Sequence, residues 1–386
     1  MIKNNQILRS TSDGNNPVVV SQLFQNVIVM KLPPGNAAVS NTRKRYTWIT
    51  KSSWLIALFA FSYIAVDAQI SKTWVTYKGE AGPGQGKNIV FISGDEEYRS
   101  EEALPMLAQI LAKKYGFTCT VLFATDPKTG EIDAMNQNNI NGLHQLRNAD
   151  LMVIFTRFRE LPDSQMVYVD EYMRVGKPVI GLRTATHAFK YSRNKNSPFV
   201  NYDFKSTIAG WEDGFGRKIL GETWINHHGH HGEEGTRGLI NGIEQDRKNP
   251  ILNGVKNIWV PTDVYTVRAF NGEVTTLIYG QSTSGMTPQS PVNLGKSVMP
   301  VAWTRSYSGE KGNAARVFTT TMGASIDLVN EDLRRLLVNA CFWAIGMEEK
   351  IPEKANVDYI VPFQPTMFGL ALFKKGICPS MYEWKN

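Results

Sequence analysis

The sequence predicts an α/β fold built on a mostly parallel sheet sandwiched by helices. Three observations carry this. Short continuous apolar runs recur along the chain, as expected of strands buried on both faces. Stretches with apolar residues at helical spacing alternate with them, and glycines close those stretches. Strand, helix, strand in this rhythm gives right-handed βαβ units and a parallel sheet.

Ile89-Val-Phe-Ile92 is the first buried strand, and it runs out into Ser93-Gly-Asp-Glu-Glu-Tyr98. A helix is predicted over 100–114, with Leu104, Leu107, Ala108 and Leu111 on one face and Gly116 just past its end. Residues 119–123 and 151–155 are the second and third strands. A helix over 164–175 stops at Gly176, and Pro178-Val-Ile-Gly181 is the fourth strand. The stretch 190–300 is irregular, with Gly, Asn, Pro and aromatic residues around β-like runs at 264–268 and 274–279; it reads as a β-rich elaboration of the same domain. A last strand at 316–321 leads into a helix over 331–345, closed by Gly346. Residues 351–386 contain Pro and aromatics and read as an extended C-terminal arm, while the Gly-rich 69–87 reads as a linker.

The net charge of +7 is concentrated at the front. Residues 1–68 hold seven Lys/Arg and two acids, and the rest of the chain holds 35 and 33. The body therefore lacks the basic excess that drives binding to a phosphate backbone, and nucleic acid is excluded as a partner. Arg43-Lys-Arg45 and Lys51 precede an apolar run at 54–66, too short for a comfortable membrane span of roughly 20 residues. Small residues then lead to Ala68. Basic region, apolar region and small-residue exit make a secretory signal peptide cleaved after Ala68, with an uncleaved anchor as the alternative. Cleavage would leave no stable membrane span and an exported, periplasmic or extracellular protein. The leader is long, and Met30 is a plausible start. Cys119, Cys341 and Cys378 are too few for a disulfide scaffold, and none forms a Cys-x-x-Cys pair.

Five of the six histidines fall between His187 and His231. Histidine titrates near neutral pH and is the commonest metal ligand. In an extended Asn226-His-His-Gly-His-His231, His228 and His230 share one face, and His227 and His231 share the other. His228 and His230 with His187 or Glu222 would make an open three-ligand site for a divalent metal such as zinc. Without metal, the same imidazoles would serve as general acid and base, with Asp95, Glu96 or Glu97 as carboxylate partner. Acids at 95–97 also suit the start of a helix. Arg157, Arg159 and Arg183 follow predicted strands, where they would hold an acidic substrate or pair with those acids. Trp224 offers a flat face to a sugar. Three segments, 94–99, 156–160 and 183–187, leave the carboxyl ends of predicted strands, where open α/β sheets bind ligands.

The chain over 88–350 resembles the ThuA-like (trehalose utilisation) domains of the class I glutamine amidotransferase-like superfamily. Four segments carry the resemblance: 177–187, 220–231, Asn249-Pro-Ile-Leu-Asn-Gly254 with Pro261-Thr-Asp-Val-Tyr265, and Met299-Pro-Val-Ala-Trp303 with Ala315-Arg-Val-Phe-Thr-Thr-Thr-Met-Gly323. The resemblance implies a flavodoxin-like sandwich and a link to sugar metabolism. The superfamily's Cys nucleophile is missing from Leu182-Arg-Thr-Ala-Thr-His187, so glutamine hydrolysis by that route is excluded. Arg183 and Ala324 stand where the family often has His.

The expected function is an exported enzyme acting on a small carbohydrate or oxidised glycoside. Its catalytic residues would be His187, His228, His230, Glu222 and Asp95, with Arg157, Arg159, Arg183 and Trp224 binding substrate. The alternatives are a non-catalytic carbohydrate-binding protein of the same fold and a partner-docking module that uses the aromatic tail. The sequence leaves the oligomeric state open, a homo-oligomer included.

Overall fold

The computed structural model describes residues 73–384. The expected signal peptide at 1–68 lies outside the described residues. Ten strands form one mixed sheet in the order β1-β3-β2-β4-β5-β10-β9-β8-β6-β7. The strands are β1 (Trp74–Tyr77), β2 (Asn88–Gly94), β3 (Thr118–Phe123), β4 (Leu151–Thr156), β5 (Val179–Leu182), β6 (Thr236–Ile240), β7 (Ile258–Val260), β8 (Thr275–Ser282), β9 (Met299–Ser308) and β10 (Ala314–Thr320). Among the described residues, four helices accompany them: α1 (Ser100–Tyr115), α2 (Asp163–Val175), the short α3 (Glu244–Arg247) and α4 (Glu331–Ala344). Among the described residues, no helix is long and apolar enough to cross a membrane.

The sheet departs from the mostly parallel expectation. β3, β2, β4, β5 and β10 are parallel to one another, whereas β1 and the run β9-β8-β6-β7 pair antiparallel. The reason lies in the connections. Helices cross over between the parallel strands, but β8, β9 and β10 follow one another through loops, and such links favour antiparallel neighbours.

Alternation along the strands divides the core into two layers. Ile89 and Phe91 of β2 and Val153 and Phe155 of β4 face Leu104 and Leu107 of α1 and Leu336 and Leu337 of α4. Val90, Ile92, Met152 and Ile154 face the other way, onto Met166, Val169 and Met173 of α2. Helices thus cover both faces of the parallel half. Its strands all deliver their C-terminal ends to one edge, and β2 sits where the order reverses, between β3 and β4. That is the usual ligand position of an open sheet.

Within the expected linker, Trp74–Tyr77 forms β1. Val75 and Tyr77 are buried, and the Tyr77 hydroxyl donates to the Tyr382 carbonyl. Four residues beside a Gly-rich stretch give too short a signal to stand out in the sequence. The β-like run at 264–268 is not a strand; Tyr265 makes one isolated bridge, with His227.

Phe318 is fully buried on β10, the strand that joins the parallel and antiparallel halves. Phe318→Ala should lower unfolding free energy by about 3–5 kcal/mol, the usual cost of emptying a buried aromatic site. Urea unfolding should show one cooperative transition in both proteins. Two separate transitions would mean that the halves do not share a core.

Candidate functional site

Three loops leave the C-terminal ends of β2, β4 and β5, and each contains a non-glycine residue in the left-handed region. These are Arg99 (φ 62°), Phe158 (φ 53°) and Arg183 (φ 45°). Such backbone costs on the order of 1–3 kcal/mol and persists only where the surroundings hold it. At Arg183 the surroundings are explicit. Its guanidinium is fully buried between the rings of Tyr98, at 4.5 Å, and Tyr265, at 4.0 Å. Nη1 donates to the carbonyls of Asp263 (2.8 Å) and Thr321 (2.7 Å), and Nη2 donates to Asp263 Oδ1 (2.8 Å) and the Tyr98 hydroxyl (3.2 Å).

Asp263 is the centre of the site. Burial pushes its carboxyl up, but Arg183 and two imidazoles outweigh burial and hold it well below the usual carboxylate range. As an anion it only accepts hydrogen bonds. His227 Nδ1 therefore donates to Oδ2 (2.7 Å), and His231 Nδ1 lies 3.2 Å from Oδ1. This places the proton of a neutral His227 on Nδ1 and its lone pair on Nε2. Nε2 has no hydrogen-bond partner among the described residues.

His231 has a second carboxylate, Glu97 Oε1, 3.1 Å from its Nε2. Both ring nitrogens face acceptors, which suits the imidazolium alone. The hydrogen bonds to Asp263 and Glu97 raise its pKa to about 9. Burial works to raise the Glu97 carboxyl, but the His231 bond and Arg157 bring it below its ordinary value. The His227 and His231 side chains are 32% and 34% exposed, so a ligand can reach them.

The chain supplies two walls. Trp224 packs 5.2 Å from His187 and 5.7 Å from His227, with Tyr265 beside them. On the other side, Phe368 lies 5.4 Å from His231 and 5.5 Å from Tyr98. It is held there because the Gly369 and Ala371 amides donate to the Glu97 and Glu96 carbonyls.

The sequence-predicted residues are placed unequally. Arg183 is at the centre and Trp224 at its edge. His187 is buried behind Trp224 among Phe158, Phe204 and Tyr265, and burial holds its pKa well below the ordinary value, so it is neutral. The structure does not bring His228 and His230 together. His228 Nε2 meets the Ser297 carbonyl at 2.8 Å, and His230 is exposed. The reason is that 227–231 is a turn rather than an extended strand, with the His228 and Gly229 amides both donating to the Val264 carbonyl. Asp95 is buried, accepts from the Thr184 hydroxyl and the Glu97 and Tyr98 amides, and braces the loop. Glu222 is also buried and fastens Arg217 to the backbone at 268–269. Arg157 and Arg159 pair with Glu96, and Arg159 also holds the carbonyls of Ala134 and Asn136. Asp263 and Phe368 are site residues that sequence reasoning did not single out. The demand of Arg183 for a buried anion was the signal for Asp263; nothing local marked Phe368.

One metal-ligand set is present among the described residues. His227, His231 and Asp263 offer ligand atoms within 4.8 Å of one another. The Arg183 guanidinium and the His231 imidazolium already face Asp263, and both oppose a metal cation there.

The ThuA family model, described as trehalose utilisation, matches residues 88–344. The chain belongs to the ThuA family. Two solved ThuA-like proteins are similar to it. One, from Bacteroides uniformis, is 14% identical, with 69% of this chain and 95% of that chain covered and a TM-score of 0.42. The other, from Parabacteroides merdae, is 16% identical, with 74% and 97% covered and a TM-score of 0.45. No curated protein matched the chain. In this ThuA protein the three cysteines are free: Cys119 and Cys341 are buried in the core, and Cys378 is half-buried in the tail.

The raised His231 pKa has a consequence for stability. Its folded value of about 9 lies above the ordinary 6.5. The contribution is therefore complete below about pH 6.5, shrinks as pH rises, and is gone above about pH 9. Melting temperature should fall across that window in the unaltered protein and fall less in His231→Asn. Equal losses would mean that another group titrates.

Proposed function

We propose that this chain is a carbohydrate-active enzyme that moves protons with His227 and His231. The observation that carries the reading is the divided carboxylate of Asp263. One oxygen fixes His227 with a free Nε2, and the other helps keep His231 protonated. A base and an acid side by side, both reachable from solvent, are what a proton-transfer site needs. The carbohydrate class follows from the family description.

On an oxidised glycoside, His227 Nε2 would take the proton from the carbon next to the carbonyl. The bond to the departing oxygen then breaks, and that oxygen receives the Nε2 proton of His231, which exchanges its bond to Glu97 for one to the leaving oxygen. The positive charge of His231 also meets the oxyanion as it develops. Hydrolysis would use the same pair, with His227 taking a proton from water. Trp224 and Phe368 would flank the sugar. In this reading the parallel half is a flavodoxin-like core, and 351–384 is the arm that carries Phe368.

The test is turnover of a panel of oxidised and unoxidised disaccharides. His227→Asn and Asp263→Asn should each lower kcat by at least about 100-fold, in line with loss of general acid–base catalysis. His228→Ala should leave it within about threefold, because His228 lies outside the pair. Retained sugar binding with no turnover in the unaltered protein would favour a carbohydrate-binding protein instead. About one equivalent of divalent metal by elemental mass spectrometry, lost in His227→Asn, would favour a metal centre on His227, His231 and Asp263.

Export is also proposed, from the order of basic, apolar and small residues at 43–68. The mature N-terminus should be Gln69. Sequencing of the secreted protein checks this, and a protein retained with its N-terminus intact would overturn it.

A further inference from the structure

A cavity lies at the opposite end of the parallel strands, away from the termini that carry Arg183. Its rim includes Tyr307 and Ser308, which pair with the start of β10. Its volume is about 640 Å³, within the usual range for small-molecule sites. Four of its lining residues carry recognition chemistry: Asn201, Lys218, Arg305 and Trp211, whose ring also packs 4.7 Å from Tyr202.

Arg305 is the first. On the same rim, Arg174 pairs with Asp170 and Glu310. Arg305 has no carboxylate partner among the described residues. Its Nε and Nη1 donate to the carbonyls of Ser306, Arg217 and Lys218, which aims the fork. Nη2 has no hydrogen-bond partner among the described residues. Burial lowers the guanidinium pKa, and no anion in the fold offsets this. A half-buried guanidinium without an anion is well suited to take one from a ligand.

The other three fit the same ligand. Lys218 is exposed, has no ion pair among the described residues, and lies 5.9 Å from the Trp211 ring. One cation therefore stands beside an aromatic plane, and Arg305 lines the same cavity. Asn201 Oδ1 is buried with no donor. An unsatisfied buried acceptor costs about 1–3 kcal/mol, and a ligand hydroxyl would relieve it.

We propose that this cavity binds an anionic sugar. The ring lies against Trp211, its carboxylate or phosphate meets Arg305 and Lys218, and a hydroxyl donates to Asn201 Oδ1. A neutral sugar would leave both cations unanswered, and a simple anion would leave Trp211 and Asn201 unused. The proposal does not depend on the acid–base reading of the Asp263 site, because no residue is shared.

Isothermal titration of the full chain with glucuronate, glucose 6-phosphate, glucose and inorganic phosphate tests it. At least one anionic sugar should bind about tenfold or more tightly than both glucose and phosphate. Arg305→Gln and Lys218→Gln should each weaken that sugar by about tenfold, the loss of one charge-assisted contact. Trp211→Ala should weaken it as well. Glucuronate against glucose 6-phosphate decides between carboxylate and phosphate. No binding of either anionic sugar, equal binding of phosphate alone, or binding unaffected by both Arg305→Gln and Lys218→Gln would overturn the proposal. Unchanged melting curves guard against misfolded variants.

Discussion

The buried pair of Arg183 and Asp263 is the constraint on which the site rests. Two charges out of water are expensive, and the fold offsets this with the pairing itself and with partners for both terminal nitrogens of the guanidinium, its Nε alone being buried without one. Two tyrosine rings flank the guanidinium, two carbonyls accept from its Nη1, and the carboxylate is shared with two imidazoles. The left-handed backbone at Arg183 follows from the same pair. A residue so fixed at its side chain cannot relax its main chain. With Asp263 immobile, the tautomer of His227 and the charge of His231 are decided before any ligand arrives.

A second layer supports the first. Glu96 holds Arg157 and Arg159, Arg157 also reaches Glu97 Oε2 at 3.4 Å, and the other Glu97 oxygen faces His231. The tail reinforces this loop by two backbone hydrogen bonds and sets Phe368 against both His231 and Tyr98. The site thus draws on residues near 97, 183, 227–231, 263 and 368, and the sheet edge is what gathers them.

The parallel strands were legible because burial on both faces writes uninterrupted apolar runs, as in Ile89-Val-Phe-Ile92 and Leu151-Met-Val-Ile-Phe155. The antiparallel strands were much less so. β6 contains Gly238 and has only Thr236 fully buried, and β9 carries Pro300 at its start, so neither gives a clean pattern. The histidine group was visible, but the pair that the structure gathers on Asp263 is not the pair that alternation brings together. Strand-like alternation joins His228 to His230, whereas the turn pinned by the Val264 carbonyl turns His227 and His231 inward and leaves the other two outside.

The sequence by itself determined the layered α/β core, the edge of the sheet where a site belongs, and the family. Apolar periodicity and motif order are local properties, and they survive reading one residue at a time. Only the tertiary structure decided which charges meet. Whether Asp95 is a catalyst or a brace, and whether Asp263 is a spare acid or the centre, depends on distances across hundreds of residues and on burial. Electrostatic roles follow from those two quantities, and neither is written in any single segment of the chain.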